Sequence, residues 1–356
     1  MVKKILLLFS LVFLLVECTQ QQDSEKPFNI ILVIGDGAGL TQISAGMYAN
    51  GNSLAVEEFE FVGLSKTHAA DALVTDSAAS GTAMACGVKT NNGAIGVTPE
   101  GIAQKSILEV CQEKGYATAL LATSSIVHAT PASFYAKVPS RRQYEDIALQ
   151  LREHSVDIFV GGGKKYFVQR EDERNLMDEM GDYAFVHDLN AFEKTNQQKI
   201  AFLTYDEEPP KLTDNRVPAL EHVVSLSLQK LAARNQPFFM MIEGSQIDWG
   251  GHANDLDYVI SEYQEFNRTL EKVLAFAKKE GNTLVVVTAD HETGGLAILD
   301  GNLKENVVKG GFTTKSHSAT MVPVFSFGPH AKHFKGIYEN TAIFDKMVTL
   351  VEKQNL

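Results

Sequence analysis

An α/β three-layer sandwich with a mostly parallel central sheet is the fold this sequence predicts, on three observations. Six apolar, β-branched runs alternate along the chain with helical patterns. No internal repeat or convincing linker divides the chain after Phe28. Of the 356 residues, 44% are hydrophobic and 21% charged, which supplies one large core and is too apolar for disorder.

The runs 30–34, 117–122, 157–160, 238–242, 284–288 and 322–327 are short, continuous and apolar, as strands buried on both faces require. Between 238–242 and 284–288, Val259, Tyr263, Phe266, Leu270, Val273 and Ala277 recur every three or four residues. That spacing predicts an amphipathic helix stopped by Gly281. Leu220, Val224, Leu228 and Leu231 predict a second helix. Strands alternating with helices imply crossover connections, hence a parallel sheet covered on both sides. Residues 164–216 are charge-rich, are interrupted by Pro209 and Pro210 and carry little periodicity. They are expected to form a peripheral insertion, as a surface subdomain or as a lid.

The first 18 residues, "MVKKILLLFSLVFLLVEC", pair two lysines with an apolar run from Ile5 to Val16. This run is too short to span a bilayer and reads as an export signal over residues 1–17. Cys18 sits where a bacterial lipoprotein signal attaches lipid, although Glu17 is unusual before it; ordinary cleavage nearby is the alternative. Residues 18–27, polar and short, read as a tether. The expected location is the periplasm or, through a lipid anchor, the outer membrane. Cys86 and Cys111 are too few for a disulfide framework and are expected to be buried free thiols. A formal net charge of −12 argues against nucleic acid as a partner, so an anionic substrate needs local attraction.

The chemistry collects where strands end. Run 30–34 leads into Asp36, run 238–242 into Glu243 and Asp248, and run 284–288 into Asp290 and His291. In open α/β sheets ligands bind beyond the carboxyl ends of the strands. Carboxylates crowded there without cations would repel one another, so the cluster points to metal. Asp, Glu and His are the donors zinc and magnesium use. Asp36 alone could cap the next helix, and "DHETGG" alone could be a polar turn. The glycines at 35, 37 and 39 do not fit a dinucleotide loop, and an acid inside one would repel pyrophosphate. Asp248 and His252, four apart, can share an ion from one side of a helical turn. In "VTDSAASGTAMACG", residues 74–87, Asp76 and Ser77 head a run of very small residues. This predicts a helix start that other chain segments approach closely, with free N–H groups favouring an anion.

Six segments, "GDGAG", "TDSAASGTA", "HATPASF" followed by "SRR", "EGSQIDWGGH", "TADHETGG" and "SHS", occur in the order of the alkaline phosphatases. From about Phe28 to Gly328 the sequence resembles that family. The resemblance implies an alkaline-phosphatase-like sandwich in one catalytic domain, residues 28–356, acting on small phosphate monoesters and releasing inorganic phosphate. It implies two zinc ions and one magnesium. Ser77 would be the nucleophile that becomes phosphoserine, and Arg141, rather than Arg142, the clamp on the phosphate oxygens. Asp248, His252 and His317 would hold one zinc. Asp36, Asp290 and His291, with the Ser77 oxygen, would hold the second. Asp36 would also bridge to a magnesium held by Thr130 and Glu243. Asp76, His128 and Trp249 would stand beside the substrate or the ions. The last two occupy positions at which the family varies, which leaves the third ion's identity open. Only 25 residues separate His291 from His317. The surface insertion common there is therefore cut short, and monomer and homodimer both stay open. A phosphodiesterase of the same superfamily is the nearest rival, disfavoured by Thr130 and Glu243. A catalytically silent zinc- or phosphate-binding lipoprotein is disfavoured by the complete donor set with Ser77.

Overall fold

The computed structural model describes residues 28–354; the export signal, Cys18 and the tether lie outside the described residues. All six expected runs are strands of one ten-stranded sheet. In spatial order its strands are Gly336–Glu339, Phe61–Lys66, Val322–Phe327, Thr283–Thr288, Asn29–Gly35, Phe238–Gly244, Ala117–Ser125, Ile158–Gly162, Lys199–Leu203 and Tyr183–Phe185. Every pairing is parallel except the two made by Val322–Phe327.

Alternation along the strands divides the interior into two cores, because successive side chains point to opposite faces. Ile30, Leu32 and Ile34 face a core completed by Ile107, Leu108, Ile343 and Met347. Ile31 and Val33 face the other, completed by Leu228, Val259, Phe266 and Leu270. These make the three layers expected from the sequence. Each such side chain, withdrawn wholly from water, contributes roughly 1.5–3 kcal/mol before conformational entropy is set against it.

The amphipathic pattern forms the helix Leu256–Glu280, capped at its start by Asp255, which accepts from Tyr258 N at 3.1 Å. It ends at Gly281, whose φ of 69° is the left-handed turn glycine makes without steric cost. The second pattern forms Leu220–Ala232. Residues 164–216 are less separate than their composition suggests. They supply two strands, Tyr183–Phe185 and Lys199–Leu203, that extend the sheet at one edge. Their return to the body is fixed by Arg216, buried between Glu262 and Glu265 of the long helix. Cys86 and Cys111 are free and buried. Among the described residues no helix is long and apolar enough to cross a membrane.

Candidate active site

The three central strands deliver the acids. Asn29–Gly35 lies between Phe238–Gly244 and Thr283–Thr288, in register from residue 30 onwards. Asp36, Glu243 and Asp290 therefore emerge side by side at the carboxyl edge of the sheet. All three are fully buried. Asp36 does not cap the following helix, whose N-terminal position is Gly39 and carries no side-chain cap. Gly37 turns the chain away at φ +72°; a Cβ there would lie 2.7 Å from Asp248 Cα, so only glycine fits.

Asp248 and His252 sit on the helix Gln246–Ala253, which starts directly after the Glu243 strand. His252 Nε2 lies 3.4 Å from Asp248 Oδ2, and His317 Nε2 lies 3.5 Å from Asp248 Oδ1. His317 comes from a two-residue ladder in which it pairs with Thr293 and Ser318 pairs with Glu292. That ladder stacks the His317 ring on His291 at 3.5 Å between centroids. His291 Nε2 in turn faces Asp290 Oδ2 at 3.1 Å, Ser77 Oγ at 3.4 Å and Asp36 Oδ1 at 3.6 Å.

Ser77 opens the helix Ser77–Cys86, every residue of which is buried. Packing on all sides is what the run of Ala, Ser and Gly permits; at Gly81 a Cβ would meet Ser133 Oγ at 2.7 Å. Asp76 is the N-cap, with Oδ1 accepting from Ala79 N at 2.9 Å. Its other oxygen accepts from Gly93 N at 3.1 Å and from Arg141 Nη1 at 3.0 Å. Asp76 thus aims Arg141 over the helix start, whereas Arg142 is exposed. Arg141, Ser77, Asp248, Trp249, His252 and His317 line a cleft of about 420 Å³. Trp249 forms one wall, edge-on to His128 at 6.2 Å.

The donors form three compact sets: Asp248, His252 and His317; Asp36, Asp248 and His291; and Asp36, His128 and Glu243. Two differ from the sets the resemblance implies. Asp248 stands in the second where Asp290 was expected, although Asp290 Oδ2 still faces His291. His128 joins the third beside Thr130. A fit to cations can be tested on the polar atoms left over. Both Asp36 oxygens, Glu243 Oε1, Asp290 Oδ2, Thr130 Oγ1 and His128 Nδ1 are buried with no hydrogen-bond partner. Buried polar atoms are nearly always paired, so this concentration of orphans marks where ions belong.

The electrostatics agree. Burial, then the neighbouring Asp290, Asp248 and Glu243, push Asp36 well above the usual carboxylate range. Burial pushes Glu243 up to about 7, against hydrogen bonds from Ser245 and Ser124. Burial would also raise Asp248, but His252 and His317 outweigh it and hold that carboxyl well below its ordinary value. His252, held by Asp248, rises to about 9. Burial and the Arg141 charge depress His128 to about 3, leaving a neutral imidazole.

Several site residues carried no signal in the sequence. Ser245 and Ser124 donate to Glu243 Oε2 at 2.7 and 3.3 Å. Asn92, in the cleft wall, accepts from Asp76 N at 2.8 Å and donates to Val74 O at 2.9 Å. Ser245 lay inside the quoted motif "EGSQIDWGGH" and Thr293 inside "TADHETGG", two residues beyond His291, but neither drew notice beside the acids and histidines.

A family model described as alkaline phosphatase matches residues 28–308. Alkaline phosphatase 4 of Bacillus subtilis is 36% identical over 352 residues, covering 94% of this chain and 76% of the relative. Alkaline phosphatase 3 of the same organism is 40% identical over 295 residues, covering 78% and 63%. The structure of alkaline phosphatase from the Antarctic bacterium TAB5 superposes with a TM-score of 0.86 at 42% identity, over 93% of this chain and 99% of that one. A mutant of that enzyme with aspartate in place of a histidine is described with magnesium bound in its M3 site. With the fold, the acid-rich sheet edge and these likenesses in agreement, the chain belongs to the alkaline phosphatase family of metal-dependent phosphomonoester hydrolases.

Proposed function

We propose that Ser77 is the nucleophile of this hydrolase and that two zinc ions and one magnesium complete its site. The observation that carries the reading is the set of orphaned buried oxygens of Asp36, Glu243, Asp290 and Thr130, gathered next to a buried serine hydroxyl. Asp248, His252 and His317 would hold one zinc; Asp36 and His291, with Asp248 or Asp290, the other; Asp36, Glu243, Thr130 and His128 would surround the magnesium. Magnesium in the M3 site of the TAB5 mutant supports the third assignment. When bound, the ions supply the positive charge that a phosphoryl group and its attacking and leaving oxygens need.

The chain's own groups do the rest. Arg141, tied to Asp76, presents its remaining N–H donors to two phosphate oxygens in a planar fork. Ser77 Oγ attacks phosphorus: its O–P bond forms, the ester O–P bond breaks, and the alcohol departs with a proton. Water then attacks the phosphoserine, its O–P bond forming as the Ser77 O–P bond breaks, and inorganic phosphate leaves. Export through residues 1–17, with a lipid at Cys18, is part of the same reading.

An aryl phosphate monoester, its diester counterpart and elemental analysis of the bound metals test the proposal. Monoester turnover should exceed diester turnover and be lost to a chelator; faster diester cleavage, or activity in metal-free protein, would sink it. Arg141→Ala is expected to weaken inhibition by inorganic phosphate about 10–100-fold, the effect of losing charge-assisted hydrogen bonds. An unchanged inhibition constant would remove Arg141 from the phosphate site.

A further inference from the structure

We propose that Thr293 is a positioning residue whose single hydroxyl orients ligands of both zinc sites at once; the inference rests on the metal-site reading above. Thr293 Oγ1 donates to Asp248 Oδ1 at 2.5 Å and lies 3.2 Å from His291 Nδ1. The side chain is fully buried. Asp248 belongs both to the donor set with His252 and His317 and to the set with Asp36 and His291. No other side-chain hydroxyl among the described residues bonds to members of both sets.

One proton decides the rest. The Asp248 carboxylate can only accept, so the threonine proton points to it. The threonine oxygen is then left to accept from His291, and Nδ1 must carry the imidazole hydrogen. In the neutral ring that ligation requires, the opposite nitrogen, Nε2, then carries the lone pair. It faces Asp290 Oδ2, Asp36 Oδ1 and Ser77 Oγ, all within 3.6 Å. A lone pair among carboxylate oxygens is repulsive unless a cation lies between them. Thr293 therefore fixes the ring in its metal-binding tautomer, the task that outer hydrogen-bond partners of ligating histidines perform.

The surroundings leave the hydroxyl little choice of direction. Thr293 O accepts from Gln42 Nε2 at 2.7 Å, and the residue pairs with His317 in the short ladder. The threonine methyl lies against Gly251, where a Cβ would come within 2.8 Å of Cγ2. The hydroxyl faces Gly37, where a Cβ would come within 2.8 Å of Oγ1. Glycines on both sides make room for this one rotamer, and β-branching stiffens it.

The test compares Thr293→Val, which keeps the shape and removes the hydroxyl, with Thr293→Ser, which keeps the hydroxyl. Zinc retained per chain is measured by elemental analysis in chelator-buffered zinc, with His252→Ala as a one-site control. Thr293→Val is expected to weaken both zinc ions together by roughly 10–100-fold, the usual loss on removing such a partner. Thr293→Ser should hold zinc like the wild type, and His252→Ala should weaken one ion only. Wild-type zinc retention in Thr293→Val, or a Thr293→Ser variant as weak as valine, overturns the assignment. If the valine variant fails to fold by circular dichroism, Thr293→Ala takes its place in the same comparison. A wild-type chain that binds no zinc would instead overturn the metal-site reading and this inference with it.

Discussion

Ser77→Ala is expected to cut kcat on the order of 10³-fold or more, since removing a covalent nucleophile takes away a whole reaction path rather than one contact. The replacement is structurally mild. Ser77 is 3% exposed, its neighbours Ala78 and Ala79 already show that alanine suits this helix, and the Asp76 cap does not involve the Ser77 side chain. Folding should therefore match the wild type, and the second zinc, losing only the Ser77 oxygen, keeps Asp36, His291 and a neighbouring carboxylate as donors, so both zinc ions should be retained. Phosphate affinity should largely survive, because Arg141 and the donor sets are untouched. Trapping with a labelled phosphate ester supplies a second measure: the wild type should yield a labelled serine on rapid acid quenching and the variant none. Full turnover in Ser77→Ala would eliminate the phosphoserine route while leaving the family assignment intact.

Asp36→Asn is expected to lower activity as severely and by a different route. Asp36 belongs to two of the three donor sets, and neither of its oxygens has a hydrogen-bond partner. The variant should therefore lose two ions per chain, where Ser77→Ala loses none. Metal-free protein adds a test with a defined sign. Burial and three neighbouring carboxylates raise the Asp36 pKa, and burial raises Glu243 to about 7. A group whose pKa is higher folded than unfolded binds more protons in the folded state. Its contribution is complete below the unfolded value, about 4, and disappears as pH rises through the folded one. The His252 imidazole, raised to about 9, acts in the same direction. His128, depressed to about 3, opposes this only below its ordinary value of about 6.5, so metal-free wild type is expected to lose thermal stability from about pH 6.5 to alkaline pH, and Asp36→Asn to lose less. Metal affinity should rise over the same interval, because ions must displace these protons. Melting temperatures of both proteins across pH, with and without zinc, check this; a steeper decline in the variant would contradict it.

The parts of the fold written in the sequence were those in which burial dictates composition. Strands covered on both faces must be apolar throughout, so 30–34, 238–242 and 284–288 stood out, and their acidic ends marked the site edge. Edge and insertion strands obey no such demand. Phe61–Lys66 alternates exposed and buried residues and includes Gly63, which a Cβ would drive against Phe334 O. Ile200 to Phe202 is an apolar patch too short to notice among charges. The hairpin of Leu296–Asn302 with Val307–Phe312 is largely exposed and so carries little pattern. The antiparallel course of Val322–Phe327 is set by its partners, which composition does not record. At the site, the acids, the histidines and Ser77 that the fold brings together were legible because their residue types are chemically distinctive. Ser124, Ser245 and Asn92 were not, since an ordinary serine or asparagine acquires its purpose only from what the fold sets beside it.

The strand that carries Asp36 is gripped on both sides by strands more than 200 residues further along the chain. During synthesis, then, a nascent polypeptide has no complete donor set until Glu243 has emerged from the ribosome, and the two nearest Ser77 close only with His291 and His317. The earliest-made acid waits longest for its neighbours, so hydrolytic competence arrives late and after translation of most of the polypeptide, when distant segments meet.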